Sequence, residues 1–115
     1  MSDDCIFCKI IKGEIATNIV DKTEYALAFQ DINPQAPIHV LIIPKEHIAS
    51  CRSLNKENIH YFSEMALLAN KVAIKEKITK GGYRWAINTG DDGGQTVNHI
   101  HLHLLGGRKM NWPPG

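Results

Sequence analysis

The sequence has almost no net charge and no long apolar run. Thirteen lysine and arginine residues balance twelve aspartate and glutamate residues, which leaves a net charge of +1 with histidines neutral. Such a balance gives no general attraction to nucleic acid or to an anionic membrane surface. The apolar runs are also far shorter than the roughly 20 residues that a membrane-spanning helix needs. We therefore expect no nucleic-acid partner and no membrane partner.

Cysteine is scarce, and its number is odd. Cys5, Cys8 and Cys51 do not make the even set that is typical of a secreted disulfide framework. The first 15 residues begin with polar side chains and lack the architecture of a signal peptide. We expect a cytoplasmic protein, in the cytosol or the nucleoplasm. The length of 115 residues suits one domain over residues 1–115, and no internal repeat is visible.

One stretch of the sequence is unusual, His-Ile-His-Leu-His-Leu-Leu at residues 99–105. It alternates strictly, and in a β-strand successive side chains point to opposite faces. The pattern predicts a strand with aliphatic residues toward the core and His99, His101 and His103 together on the other face. Imidazoles titrate near neutral pH, ligate metals and attack electrophiles, which indicates a functional strand rather than a structural one.

A glycine-rich segment, Thr89 to Thr96, leads directly into this stretch. Its Asp-Gly and Gly-Gly pairs favour a hairpin loop. Glycine-rich turns also let backbone N–H groups point at an anion. A phosphate held there would lie beside three imidazoles.

Three chemistries fit this constellation. One imidazole could attack phosphorus while its neighbours position or protonate, with the backbone of residues 93–96 neutralising the phosphate oxygens. Alternatively, a His-x-His pair could hold a catalytic zinc whose bound water attacks. In the third, the histidines ligate a structural metal in an interaction module. Same-face neighbours lie about 6.6 Å apart along a strand, which suits any of them.

Cys5 and Cys8 form a C-x-x-C pair, which is typical of half a zinc site or of a redox pair. No thioredoxin-like unit surrounds it, which argues against a redox pair. The non-functional alternative is that the two cysteines are small buried core residues. His39 interrupts an apolar strand, where a hydrogen-bonded core histidine is the plainer interpretation.

The predicted elements follow from periodicity and turn residues. A helix over residues 5–12 ends at Gly13 and groups Ile6, Phe7, Ile10 and Ile11 on one side. The predicted strands are Ala16–Asp21, Tyr25–Gln30, a central Ile38–Ile43 and Tyr83–Asn88. One long helix over residues 55–78 has Asn55 as its N-cap. Its apolar face comprises Ile59, Phe62, Ala66, Ala69, Val72 and Ala73.

Several segments of the sequence resemble a known protein family. The stretch 99–105 matches the His-φ-His-φ-His-φ-φ signature of the histidine-triad (HIT) superfamily, where φ is apolar. The segments 6–11, 28–37, 42–47, 88–95 and 106–115 resemble its Hint branch, the histidine-triad nucleotide-binding proteins. The closing Trp-Pro-Pro-Gly favours that branch over the Fhit branch and over galactose-1-phosphate uridylyltransferase.

The resemblance implies an α+β fold with a five-stranded antiparallel sheet, one long helix and a short N-terminal helix. It further implies a homodimer with a continuous ten-stranded sheet. The implied activity is that of a purine nucleoside phosphoramidase, which splits the P–N bond of adenosine or guanosine 5′-phosphoramidates through a nucleotidyl-histidine intermediate and releases AMP or GMP. Purine nucleoside monophosphates and phosphoramidates are the implied ligands, and no cofactor is implied for catalysis.

The resemblance also implies roles for individual residues. His101 is the nucleophile, His103 contacts the phosphate and His39 supports the histidine cluster. Asn88, Gly94, Gln95 and Thr96 bind the phosphate, with Thr96 in place of the serine common in animal members. Asp31 accepts the ribose hydroxyls, and Ile32, Ile6, Phe7, Ile10 and Phe29 line the nucleoside pocket.

Two further features come from the resemblance alone. In the bacterial-type proteins, residues matching Cys5, Cys8, His47 and His99 hold a structural zinc ion, and all four are present here. The C-terminal tail lies at the dimer interface, so Trp112 is expected near the partner's site, on its leaving-group side.

Overall fold

A computed structural model of the protein describes residues 4–115. A five-stranded antiparallel sheet and two α-helices confirm the predicted α+β class. In chain order the elements are α1 (Ile6–Ile11), β1 (Ile19–Lys22), β2 (Ala26–Gln30), β3 (Ile38–Pro44), a short 3-10 helix (Cys51–Ser53), α2 (Ile59–Lys75), β4 (Tyr83–Ala86) and β5 (Leu102–Gly106). The strand order β1-β2-β3-β5-β4 places the apolar strand β3 at the centre, as predicted.

The sheet separates two apolar cores. Alternate residues of β2, β3 and β5 point toward α2, and the residues between them point toward α1. The α2 side holds the larger core, which includes Ala28, Val40, Ile42, Leu102 and Leu104. The α1 side holds a smaller one with Phe7, Phe29, Leu41 and Ile43. The polar face of β5 looks toward α1, so the smaller core borders the histidines.

The bounds predicted for the long helix, 55–78, were wrong at both ends. Asn55 instead caps a separate turn in front of the helix, where its side-chain oxygen accepts the backbone N–H groups of Glu57 and Asn58. The helix begins at Ile59. It ends before Lys77, whose φ of 61° is left-handed and closes a pair of C-terminal hydrogen bonds typical of a Schellman motif.

The buried face of α2 is also displaced from the predicted one. Met65 and Leu68 are buried with Ala69, Val72 and Ala73. Ile59 is 45% exposed, and Phe62 and Ala66 are only half-buried. Of the predicted face, Ala69, Val72 and Ala73 thus lie in the larger core, and the partly buried Phe62 packs against it.

All five strands differ from the predicted bounds, β2 and β3 by one residue each and the other three by more. β1 starts at Ile19, although the Asn18 carbonyl before it still accepts the Gln30 N–H of β2 at 2.9 Å. β5 starts at Leu102, not at His99, because Pro44 at the end of β3 has no N–H to extend the ladder. The Ile100 N–H instead donates to the Ile48 carbonyl at 2.7 Å. β4 ends at Ala86, which pairs with His103 of β5.

Within residues 4–115, neither helix has the length and hydropathy that crossing a membrane requires.

Candidate active site and metal site

A row of five imidazoles crosses the α1 side of the sheet, in the order His47, His99, His101, His103 and His39. The ring centroids are 5.0 Å apart for the His47–His99 and His101–His103 pairs and 5.2 Å apart for the last pair. Phe7 of α1 packs edge-on against the middle of the row, 5.8 Å from the His99 ring and 5.1 Å from the His101 ring. The three histidines of the 99–105 stretch thus lie on one side of the sheet, although two of them precede β5.

At one end of the row, Cys5, Cys8, His47 and His99 converge. Their ligating atoms all lie within 4.8 Å of one another. The Cys8 sulfur is 3.3 Å from His47 Nδ1 and 3.6 Å from His99 Nδ1, and the Cys5 sulfur is 3.4 Å from His99 Nδ1. Tetrahedral zinc with ordinary bond lengths separates its sulfur and nitrogen ligands by about 3.5 Å. The four side chains therefore fit a zinc ion.

The surroundings of this cluster fit a structural metal as well. The buried His99 donates its Nε2 hydrogen to the Pro44 carbonyl at 2.9 Å, which leaves Nδ1 with its lone pair toward the sulfurs. Desolvation by burial lowers the pKa of His99 to about 4, so this imidazole is neutral at pH 7. Two thiolates and two neutral imidazoles make the closed donor set of structural zinc sites. Such an ion would hold α1 against the segment before β5.

His101 has a tautomer that is set by a backbone carbonyl. Its Nδ1 lies 2.8 Å from the His99 carbonyl oxygen, which can only accept, so Nδ1 must carry the hydrogen. The Nε2 atom then holds a lone pair. His101 is buried and belongs to neither group of clustered metal-binding donors among residues 4–115. An imidazole whose tautomer is set in this way can act as a nucleophile.

A hydrogen-bond chain fixes the tautomers of the next two imidazoles. The Gln35 N–H donates to His39 Nδ1 at 3.0 Å, so the hydrogen of neutral His39 is on Nε2. His39 Nε2 lies 2.9 Å from His103 Nδ1, which must accept. His103 therefore carries its hydrogen on Nε2, where it can serve an oxygen of a bound group. Asp31 lies beside the chain, with a carboxylate oxygen 3.4 Å from His39 Nε2.

Asp31, His39 and His103 are close enough to form a second group of metal-binding donors. A metal on His39 Nε2 would require the ring hydrogen on Nδ1, where the Gln35 N–H already points. The backbone therefore favours a chain of hydrogen bonds over a metal at these residues. This observation favours the imidazole nucleophile over the catalytic zinc that the sequence left open.

The burial of His103 makes the free energy of unfolding depend on pH. Desolvation by burial, then the neighbouring His101 and His39, lower its pKa from 6.5 to about 4. Between these values the unfolded chain binds a proton that the folded protein does not, so we expect the unfolding free energy to fall as pH drops from 6.5 to 4. Denaturant unfolding at several pH values, with zinc constant, measures this slope. His103→Asn should have the shallower slope; equal slopes would contradict the assignment.

The glycine-rich loop is held together by its own glutamine. The Gln95 side-chain oxygen accepts the Gly90 N–H at 3.0 Å, and its amide nitrogen donates to the carbonyls of Ala49 and Val97 at 2.7 and 2.9 Å. The N–H groups of Gly94 and Gln95 also donate to carbonyls within the loop. The Gln95 side chain thus shapes the loop, whereas Thr96 is exposed. Asn88 is half-buried just before the loop.

The residues predicted to line a nucleoside pocket separate into two groups. Phe7, Ile10 and Phe29 are buried in the smaller core. Ile32 is 97% exposed, and it lines a cavity of about 540 Å³ together with Asp31. Ile6 is 46% exposed, so it does not pack with the rest of α1 as predicted. It lies on the side of α1 opposite that core, and with Thr96 it lines a cavity of about 350 Å³.

The chain resembles several known proteins over nearly its whole length. The profile of the family described as "Scavenger mRNA decapping enzyme C-term binding" matches residues 4–112. A "14 kDa zinc-binding protein" of Zea mays is 49% identical over 112 residues, which cover 96% of this chain and 87% of that protein. The crystal structure of a HIT family hydrolase from Legionella pneumophila superposes with a TM-score of 0.95, at 49% identity, over 97% of this chain and 100% of the other.

The chain belongs to the histidine-triad family. A histidine triad nucleotide-binding protein from Candida albicans has the same fold, with a TM-score of 0.82 and 35% identity over 96% of this chain and 83% of the other. The family resemblance inferred from the 99–105 stretch is thereby confirmed. The triad that gives the family its name is the set His99, His101 and His103 in this chain.

Sequence reasoning missed the backbone groups that prepare this triad. The Pro44 carbonyl orients His99, the His99 carbonyl orients His101, and the Gln35 N–H orients His39. Every residue has a carbonyl and every residue except proline has an N–H, so no residue type signals them. The proline-rich turn over residues 31–37 was the available signal, since it must bring its backbone near the start of β3.

Proposed function

We propose that this histidine-triad protein is a hydrolase of purine nucleoside 5′-phosphoramidates and that His101 is its nucleophile. The observation that carries the proposal is the pair of opposite tautomers at neighbouring rings. His101 has a lone pair on Nε2, and His103 has a hydrogen there. The first suits attack on phosphorus, and the second suits a phosphate oxygen. The names of the Legionella and Candida relatives, a hydrolase and a nucleotide-binding protein, support the same class.

The reaction would proceed in two displacements at phosphorus. His101 Nε2 forms a bond to phosphorus while the bond from phosphorus to the amine breaks, and the leaving nitrogen takes a proton from water. His103 donates its Nε2 hydrogen to a phosphate oxygen throughout. Water then attacks the phosphorus and gives a proton to the hydroxide left by the first displacement, the bond to His101 breaks, and AMP or GMP leaves with the His101 lone pair restored. Such chemistry depends mostly on positioning and on stabilising charge.

The remaining residues would bind the nucleotide. Asn88, Gly94 and Thr96 would surround the phosphate, with Gln95 holding their loop in shape. Asp31 would accept the ribose hydroxyls, since a carboxylate matches two O–H donors. Ile32 and Ile6 would contact the base from either side, above the buried rings of Phe7 and Phe29 and the side chain of Ile10.

A direct assay tests the activity. The protein is incubated with adenosine 5′-phosphoramidate and AMP is followed by chromatography, with AMP anhydrides of equal concentration as comparison substrates. We expect AMP from the phosphoramidate at a higher rate than from the anhydrides. Tight AMP binding without any turnover would contradict the proposal and support a binding module instead.

We further propose that the protein is a homodimer that pairs through β4. This strand lies at one edge of the sheet, and unpaired edges are normally paired or covered. Tyr83 and Trp85 on β4 are more than a third exposed, and Leu67 on α2 is 63% exposed. Trp112 in the tail is 82% exposed, which is typical of a contact residue. Pairing of two β4 strands would give a ten-stranded sheet.

In that dimer the tail would help to select the amine that leaves. We expect truncation after Arg108, or Trp112→Ala, to change the relative rates among phosphoramidates with different amines while AMP affinity stays within about twofold. Sedimentation of the intact chain measures the assembly. A monomer at micromolar concentration, or an unchanged amine preference in both variants, would contradict the dimer and the role of the tail.

A further inference from the structure

We propose that Arg108 is a positioning residue for this reaction. Its guanidinium, outside the row of histidines, would hold Gln35 in the place from which its N–H fixes the tautomers of His39 and His103. The inference rests on the proposed function for its effect on rate, and on the observed hydrogen bonds for its effect on the two rings.

Arg108 donates two hydrogen bonds to the carbonyl oxygen of Gln35. Its Nε and Nη2 atoms lie 3.1 and 3.0 Å from that oxygen. A third donor, Nη1, lies 3.1 Å from the carbonyl oxygen of the next residue, Lys109, and this bond holds the side chain against the adjacent backbone. Hydrogen bonds from a charged, planar donor are stronger and more directional than neutral ones. Arg108 therefore clamps Gln35 at a defined distance from the end of β5.

The backbone at Gly107 allows the chain to pass close to the turn that contains Gln35. Gly107 has a φ of +90°, and a Cβ atom there would lie 2.9 Å from the Cβ of Pro37. Only glycine lets the chain pass so close to the turn over residues 31–37. The next side chain, Arg108, is thereby delivered to Gln35. The turn is otherwise held by short local bonds, from the Asn33 N–H to Asp31 and from the Gln35 amide to the Asn33 carbonyl.

A continuous path leads from Arg108 to the site. Gln35 is held at its carbonyl by Arg108, and it donates its N–H to His39 Nδ1. His39 then donates from Nε2 to His103 Nδ1. If Gln35 shifted, His39 could place its hydrogen on Nδ1, and its Nε2 would meet His103 with a lone pair instead of a donor. His103 would then lose the Nε2 hydrogen that the phosphate needs.

The kinetic test compares Arg108→Gln with Lys109→Gln, the neighbouring exposed cation. We expect kcat of Arg108→Gln to fall roughly fivefold, the value of about one net hydrogen bond, with KM nearly unchanged and the same loss for every leaving amine. Arg108→Lys, which keeps the charge without the fork, should recover only part of kcat. Equal kcat in Arg108→Gln and Lys109→Gln, or a loss that depends on the amine, would overturn the proposal.

The structural test needs no turnover. Nitrogen-15 NMR of the imidazoles at neutral pH should give Nδ1 of both His39 and His103 the shift of an unprotonated nitrogen in the intact protein and in Lys109→Gln. In Arg108→Gln both Nδ1 shifts should move toward a mixture of tautomers. Unchanged shifts would overturn the proposal even if phosphoramidate proves to be a substrate. Changed shifts in a protein without that activity would uphold the clamp and reject only the reaction.

Discussion

Replacement of His101 by alanine is expected to lower phosphoramidate turnover at least about a thousandfold, or ~4 kcal/mol of barrier. The physical reason is that the His101 Nε2 lone pair, fixed by the 2.8 Å hydrogen bond from Nδ1 to the His99 carbonyl, is the atom that forms the bond to phosphorus. Removal of the nucleophile leaves only the groups that position the phosphate. Steady-state rates with adenosine 5′-phosphoramidate measure the loss, and equilibrium dialysis should find AMP affinity largely retained.

Two controls separate chemistry from folding in that experiment. His60→Ala removes an exposed histidine that packs against Tyr25 and Tyr61 and is not a member of the row, and it should leave turnover unchanged. Circular dichroism and unfolding of His101→Ala should resemble those of the intact chain, because the site is at the edge of the smaller core. A loss below about tenfold in a folded His101→Ala would contradict the nucleophilic role.

Removal of zinc is expected to lower the unfolding free energy by about 3 kcal/mol or more, since a metal that binds only the folded state stabilises it by mass action. Cys8→Ser should do the same, because the buried Cys8 sulfur lies within 3.6 Å of both imidazoles of the cluster. The zinc would hold α1, and with it the Phe7 ring that packs against His101. Chemical unfolding with and without a strong chelator measures the effect.

Cys51 offers a matched control for the cluster. It is a half-buried cysteine in the 3-10 helix, outside the group of metal-binding donors. Cys51→Ser should keep one zinc per chain and respond to the chelator as the intact protein does. Metal analysis of protein purified without chelator should find zinc at one equivalent in the intact chain and far less in Cys8→Ser. Equal zinc content in both variants would contradict the four-ligand assignment.

The parts of the fold that sequence could predict are those set by alternation and apolar runs. Ile100, Leu102 and Leu104 lie in the larger core as the 99–105 pattern predicted. The limits of the elements depend instead on which backbone group finds a partner. β5 starts late because Pro44 cannot donate a backbone hydrogen bond, and α2 starts after a separate turn that the Asn55 side chain caps.

The site follows the same division. The alternating spacing alone predicted that His99 and His101 lie on one side of the sheet. The family resemblance predicted that His47 joins the two cysteines in a zinc site. Tautomers, however, depend on the carbonyls and N–H groups nearby, and these are the same in all residue types other than proline. The side chain of Gln95 illustrates the limit: residue type suits it to a phosphate, whereas the fold directs its amide to Gly90, Ala49 and Val97.

The most direct measurement is the capture of the covalent intermediate. The protein is mixed with excess adenosine 5′-phosphoramidate, quenched within one turnover under conditions that preserve phosphorus–nitrogen bonds, and analysed by intact mass and peptide mapping. We expect a mass increase of one AMP less one water, located on the peptide that contains His101 and absent from His101→Ala. Turnover with no adduct at any quench time, or an adduct on another residue, would contradict it.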